Sequence, residues 1–277
     1  MKAGSVLQET IEFLQSSLTQ SPILDSELIV EDVTGIPRHM LRIEPDREVS
    51  EDEYKKICSY RQRRKDCEPI AYILGNKEFY SLDFKVNPKV LIPRPETELL
   101  VDLAIYYAPR HGTLVDIGTG SGAIAIAVKC NRQDVHVYAS DISRDALEVA
   151  RDNAESILGT ENSVEFRHGY LFEPFEDKKF DIIVSNPPYV DPALREYLQR
   201  DLEYEPQEAL YSEEGGREIV NRLIENAGNM LEENGIMLME ISESMSDYVV
   251  DKANSSGFTV SIFQDYSGFP RIALLKT

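Results

Sequence analysis

The stretch "TLVDIGTGSGAIAIA", Thr113 to Ala127, decides the reading of the fold. A short apolar segment runs directly into Gly118, Gly120 and Gly122, and then into a run rich in alanine and isoleucine. Glycine lets a chain turn sharply and lets its backbone approach a ligand closely. A helix that starts at such a turn, here from Ser121, offers free amides and a positive dipole to that ligand. The same spacing also serves a plain tight turn between a strand and a helix, so the glycines must be read with their surroundings.

Those surroundings alternate. Downstream, "VHVYAS" (135–140), "VEFRH" (164–168), "FDIIVS" (180–185) and "GIMLMEIS" (235–242) read as strands. Helical patterns start near 144 and cover about 216–233 and 244–256, and two last strands fall near 258–264 and 271–275. Strands alternating with helices imply a mostly parallel sheet covered on both faces. The last two strands have no helix between them and are expected to pair antiparallel. Residues 1–75 show no strand alternation. Leu7, Ile11, Leu14 and Leu18 recur at helical spacing, Ile23, Leu28 and Val30 less regularly, and Ser50 with Glu53 forms a capping-box pattern. A small helical bundle fits this segment. In 76–92, Phe79, Leu82, Phe84 and Val86 lie among turn residues, which suggests a β-hairpin linker. The α/β domain then occupies 93–277, opening on a helix with Pro95 in its first turn and Glu96 and Glu98 favoured by the dipole.

The second strand ends in "YASDIS", which puts Asp141 at a carboxyl end, 23 residues after Gly118. An acid there typically accepts hydrogen bonds from the ribose hydroxyls of a nucleoside. Ser143 remains available to cap the following helix. Ala123 stands where a dinucleotide fingerprint has its third glycine or alanine, so the glycine spacing does not choose between nucleosides. Asp116 extends the pattern to D-x-G-x-G-x-G.

"FDIIVS" runs into Asn186-Pro187-Pro188-Tyr189, at the sheet edge where open α/β folds bind ligands. The prolines carry no N–H and cannot extend the sheet. They also stiffen the residue before them, so two carbonyl acceptors, the Asn186 side chain and the Pro187 backbone, sit in a rigid turn with the Tyr189 ring beside them. That set suits a planar –NH2 group, with its hydrogens held by two acceptors and the ring against its face. Bonds that favour pyramidal nitrogen free its delocalised lone pair for attack on an electrophilic methyl. As a purely structural feature, the same tetrapeptide is a rigid end to a strand.

Composition narrows the classes. The net charge is −20, from 29 basic and 49 acidic residues, which disfavours a broad nucleic-acid face. "RQRRKD", Arg61 to Asp66, is the one basic cluster, and a solvated helix face explains it as well as a partner site. Cys58, Cys67 and Cys130 are odd in number with no Cys-x-x-Cys spacing, and no histidine joins them, so neither a disulfide framework nor a metal site is expected. No apolar signal core or membrane-length run appears, and a reducing, cytoplasmic location is the expectation.

The D-x-G-x-G-x-G pattern resembles motif I of class I S-adenosylmethionine-dependent methyltransferases, whose Rossmann-like seven-strand sheet ends in an antiparallel pair. Asn-Pro-Pro-Tyr occurs in methyltransferases of adenine amines and of glutamine amides. "EPIAYILGNKEFYSLDFKVNPKVLIPRPETELLVD", "SDIS..AL..A..NA", "SNPPYV", "YEPQEAL" and "EEGGREIV" resemble, in order, the HemK/PrmC family of peptide-release-factor glutamine methyltransferases. The resemblance spans essentially the whole chain. It implies N5-methylation of the glutamine in the Gly-Gly-Gln loop of class I release factors, by a monomer with no need of DNA or membrane. Asp116, Gly118, Thr119, Gly120, Ser121, Gly122, Asp141 and Asn186 would hold S-adenosylmethionine, and S-adenosylhomocysteine would be the product. Asn186, Pro187, Pro188 and Tyr189 would hold the glutamine. Tyr170 stands where many family members carry an acid near the adenine; Tyr170 beside the ring and Leu171 on its face both remain open. Arg94 to Thr97 would close the pocket. The competing readings are an adenine amino methyltransferase built on the same tetrapeptide and a cofactor-binding scaffold without turnover.

Overall fold

The computed structural model describes residues 1–159 and 163–277. The chain divides into two units, Met1–Gly75 with Gln199–Tyr204, and Asn76–Leu198 with Glu205–Thr277. The attachment of 199–204 to the first unit was not foreseen from sequence.

The long helices of the first unit are Ala3–Gln15, Pro22–Thr34 and Glu51–Lys65. Leu7, Leu14, Ile29, Val30, Leu41 and Ile57 form its core. The first helix stops at Gln15 because the Ser16 and Ser17 hydroxyls donate to the carbonyls of Phe13 and Leu14, at 2.8 and 2.6 Å. Leu18, expected on the apolar stripe, therefore lies beyond the helix and is 70% exposed; Ile23 is exposed too. The Ser50–Glu53 capping box forms in both directions. The basic run that follows is engaged within the unit. Arg61 pairs with Glu9 at 2.9 Å, Arg63 with Glu68 at 2.6 Å and Arg64 with the buried Asp25 at 2.7 Å. Among the described residues, no helix is long and apolar enough to cross a membrane.

The second unit begins with a hairpin, β1 (Asn76–Phe79) and β2 (Leu82–Lys85), turned by Tyr80 and Ser81, both at positive φ. The remaining strands are β3 (Thr113–Ile117), β4 (His136–Asp141), β5 (Val164–His168), β6 (Phe180–Ser185), β7 (Leu231–Glu240), β8 (Thr259–Gln264) and β9 (Pro270–Lys276). They form one seven-stranded sheet in the order β5-β4-β3-β6-β7-β9-β8. β5 to β7 are parallel through β3, and β9 runs antiparallel to both β7 and β8. Side chains alternate between two cores as the pleat requires. Leu114, Ile182, Val184 and Leu238 join one, Val115, Ile183, Met237 and Met239 the other.

Glycines shift several element ends from their expected positions. The helix after β3 starts at Ala123 rather than Ser121, because Gly122 sits at φ +83° before it. The helix expected over about 216–233 covers Glu218–Met230, after the left-handed Gly215 and Gly216. β7 begins at Leu231, four residues before the expected start, and its register with β6 shifts between Phe180 and Ile182, beside the left-handed Asn234.

Candidate active site

β3 turns back to β4 on one side, while its other neighbour is β6, so the strand order reverses between β3 and β6. Ligands of open α/β sheets bind in the crevice at that point. The register pairs Leu114 with Ile182 and Asp116 with Val184, which brings Gly118 and Asn186 level at the carboxyl edge. A cavity of about 310 Å3 opens there. One wall is Gly118, Asp141, Tyr170 and Leu171, another Ser185 to Pro188, and the third comes from Pro206 to Ile219.

The glycine-rich turn is bare where it meets the cavity. Gly118 and Gly120 have φ of +75° and +56°, and a Cβ on either would point into open space. Gly122 is different: a Cβ there would stand 2.8 Å from Ile126 and 3.2 Å from Ala150, so it serves helix packing. The turn spends its own amides. Gly118 and Thr119 donate to the Ser140 carbonyl, both at 2.9 Å, Gly122 donates to Thr119, and Gly120 donates to the Asp141 carboxylate at 2.8 Å. The other Asp141 oxygen accepts from the Ser143 amide at 2.9 Å, while the Ser143 hydroxyl caps the next helix. Burial raises the Asp141 pKa, against these amide bonds.

Among the described residues, Asp116, Thr119, Ser121 and Gly122 are buried and stand behind that wall, and Gly120 does not line the cavity either. The Thr119 hydroxyl donates to one Asp116 oxygen at 2.7 Å, and the other Asp116 oxygen has no hydrogen-bond partner among the described residues. Full burial pushes the Asp116 pKa up to about 7. Asp116, expected to hold the cofactor, does not line the cavity and bonds Thr119 of the turn instead. Asn153, in the helix Arg144–Leu158, is a second support that sequence reading missed as a role. Fully buried, it donates to the carbonyls of Ser121 and Lys85 and accepts from the Lys85 amide, tying turn to hairpin.

Asn186 projects from the end of β6. Its Nδ2 donates to the Thr97 hydroxyl at 3.2 Å, which donates to Glu240 Oε2 at 2.7 Å. The Tyr189 hydroxyl donates to Glu240 Oε1 at 3.1 Å. Asn186 Oδ1 and the Pro187 carbonyl accept no bond among the described residues, and both residues line the cavity. Tyr189 was expected to lay its ring on the bound amine. Instead its hydroxyl turns inward to Glu240, its ring packs on the Val115 core, and it is not on the cavity wall. Burial raises the Tyr189 and Glu240 pKa values, and Arg271 pulls both down.

The turn is clamped from behind. Val190 donates to the Leu210 carbonyl and Ser212 to the Val190 carbonyl, each at 3.0 Å. Gly216 has φ +83°, and a Cβ there would lie 2.2 Å from the Tyr189 carbonyl. The "IPRPETE" segment does not line the cavity; Arg94 and the Ile92 amide both bind the buried Glu205, and Thr97 reaches Asn186. Tyr170 lies against Arg222 at 5.7 Å, and Leu171 holds a left-handed φ of +47° with its carbonyl accepting from the Ser140 hydroxyl. Asp141, Glu208, Glu213 and Glu218 face the cavity against Lys89 as the cation on its wall.

Comparison with known proteins agrees with this geometry. Residues 5–75 match the family described as PrmC N-terminal domain, and 96–202 that described as Methyltransferase small domain. The chain is 39% identical to the release factor glutamine methyltransferase of Neisseria gonorrhoeae over 94% of its own length and 95% of that protein. It is 36% identical to the protein of the same name from Aliivibrio fischeri, over 98% and 95%. A solved methyltransferase from Pyrococcus furiosus shares the fold with a TM-score of 0.55 at 20% identity, covering 82% of this chain and 98% of that one. With a helical first unit, a seven-stranded methyltransferase sheet and full-length likeness to these proteins, the chain belongs to the release factor glutamine methyltransferase family.

Proposed function

We propose that this protein transfers a methyl group from S-adenosylmethionine to the side-chain amide nitrogen of the glutamine in the Gly-Gly-Gln loop of class I release factors, in the cytoplasm and as a monomer. The observation that carries the reading is the pair of unfilled acceptors, Asn186 Oδ1 and the Pro187 carbonyl, beside the glycine turn.

The donor set fits a sulfonium nucleoside. A pyrophosphate needs free amides at the turn, yet those of Gly118, Thr119, Gly120 and Gly122 are already used inside the protein. The carboxylates Asp141, Glu208, Glu213 and Glu218 repel phosphate and attract a cation. Asp141 keeps lone pairs on both oxygens for ribose hydroxyls after accepting two amides. Bare backbone at Gly118 allows close approach, and Tyr170 and Leu171 supply the apolar wall for the base.

When bound, the cofactor supplies a methyl group already activated as a sulfonium. The protein's part is positioning. Asn186 Oδ1 and the Pro187 carbonyl accept the two amide hydrogens of glutamine, favour pyramidal nitrogen and aim its lone pair. Transfer would form the N–C bond as the S–C bond breaks, and the extra amide proton would then leave to water. Pro188 shapes the turn, and Tyr189 acts through Glu240.

The test is transfer of labelled methyl from S-adenosylmethionine to an unmodified release factor, to its loop glutamine-to-alanine variant, and to duplex DNA. Label is expected on the unmodified factor only. Asn186→Ala is expected to lower transfer at least about 100-fold with cofactor affinity largely kept. Label on DNA, or on the loop variant, overturns the assignment.

A further inference from the structure

The Asn186 amide has two ends, and only one serves the proposed chemistry. With Oδ1 toward the cavity it accepts a substrate N–H; turned by 180° it would present –NH2 to –NH2, donor against donor. Nothing in Asn186 itself selects the orientation. Its surroundings do, through two residues that sequence reading had placed elsewhere or passed over.

Thr97 Oγ1 has one hydrogen and lies 2.7 Å from Glu240 Oε2 and 3.2 Å from Asn186 Nδ2. The Thr97 hydroxyl donates its one hydrogen to Glu240 Oε2. Thr97 then has only lone pairs left for Asn186, which must offer its Nδ2 inward and its Oδ1 outward. The second Glu240 oxygen is occupied by the Tyr189 hydroxyl at 3.1 Å, so both ends of the carboxylate face donors. Thr97 is 4% and Glu240 1% exposed, which leaves no solvent to scramble the chain of bonds. Burial raises the Glu240 pKa; the Thr97 and Tyr189 hydroxyls and the Arg271 charge act against that rise, Glu96 adds to it, and Arg94 acts on the neighbouring Tyr189. We propose that Thr97 and Glu240 are positioning residues that fix which end of the Asn186 amide faces the substrate.

The inference rests on the reading of Asn186 as the substrate's acceptor, and its test separates the two. Thr97→Val keeps the shape and removes the hydroxyl; Thr97→Ser keeps the hydroxyl. Glu240→Gln offers one acceptor end to two donors, so the relay from Thr97 is no longer specified. In the cofactor-free protein, the Asn186 side-chain amide signal is identified by its absence from Asn186→Ala. Its hydrogen-bonded proton should exchange slowly in wild type and in Thr97→Ser, and about tenfold or more faster in Thr97→Val. In turnover, kcat should fall about tenfold or more in Thr97→Val and Glu240→Gln, with KM for the cofactor within about twofold and Thr97→Ser near wild type. An unchanged amide signal in Thr97→Val, or equal kcat loss in Thr97→Ser and Thr97→Val, overturns the inference. Failure of wild type to methylate any glutamine counts against the proposed function instead, while the amide signal still decides the positioning role.

Discussion

At the scale of single residues, Asp116 shows how the site's support differs from its surface. It is fully buried, one oxygen has no hydrogen-bond partner among the described residues, and its pKa is pushed up to about 7 by loss of water. The sign of the consequence follows from linkage. The folded pKa lies above the unfolded value near 3.8, so the folded state holds the proton more tightly. Stability from this residue is full below about pH 4 and is lost as pH rises toward and through 7, by up to about 4 kcal/mol for a shift of this size. Asp116→Asn keeps an acceptor for the Thr119 hydroxyl and removes the charge. Urea unfolding at pH 5 and at pH 8 should therefore show wild type losing more stability with pH than the variant, in which Asp141 and Glu240, whose pKa values burial also raises, remain. Parallel loss in both proteins rules this account out.

At the scale of elements, the segment after the Asn-Pro-Pro-Tyr turn is held by backbone, and that makes glycine there a requirement. Gly215 and Gly216 have φ of +69° and +83°. A Cβ on Gly215 would come no nearer than 3.7 Å to Asp191, whereas one on Gly216 would sit 2.2 Å from the Tyr189 carbonyl. Gly215→Ala thus meets only backbone strain, about 1 kcal/mol, and Gly216→Ala meets the same strain and a backbone clash, about 3 kcal/mol or more. Thermal melts should place Gly216→Ala below Gly215→Ala by several degrees, and kcat should fall only in the former. Equal melting points and equal kcat for the two would mean that the close approach does not hold the turn. The same contrast explains what was legible in sequence. β3 and β6 were readable to the residue because each is a short buried run ended by a glycine or by Asn-Pro, and β5 because Gly169 closes it although only Val164 is buried. The start of β7 was not, because "LEEN" has exposed acids on an irregular, bulged edge. Asn186, Asp141 and Gly118 announced themselves by position after strands. Thr97 and Glu240 did not, since a threonine in a helix start and an acid ending an apolar strand carry no local signal. They meet Asn186 only through the fold, 89 residues away in sequence for Thr97.

At the scale of the whole molecule, charge decides which partners are open. The net charge of −20 sets a repulsive field for polyanions, and local exceptions matter only where cations are free. Arg61, Arg63 and Arg64 looked like such an exception in sequence, but each donates to a carboxylate of its own unit, Glu9, Glu68 and Asp25. Engaging phosphate with them means breaking these pairs, and the Arg64 pair is buried, with 11% and 6% of its side chains exposed. Counterion release, which drives non-specific DNA binding, therefore has little to work through at these three arginines. A mobility-shift titration of the full chain with a 20-base-pair duplex, at about 150 mM salt, should give a Kd weaker than about 10⁻⁴ M, the weak end of non-specific binding. Lowering salt to about 50 mM should tighten it little, because the slope with salt counts the phosphates neutralised. Micromolar binding that weakens steeply with salt would mean that these arginines exchange their carboxylates for phosphate, and would return the adenine amine to contention as the group that Asn186 and Pro187 receive.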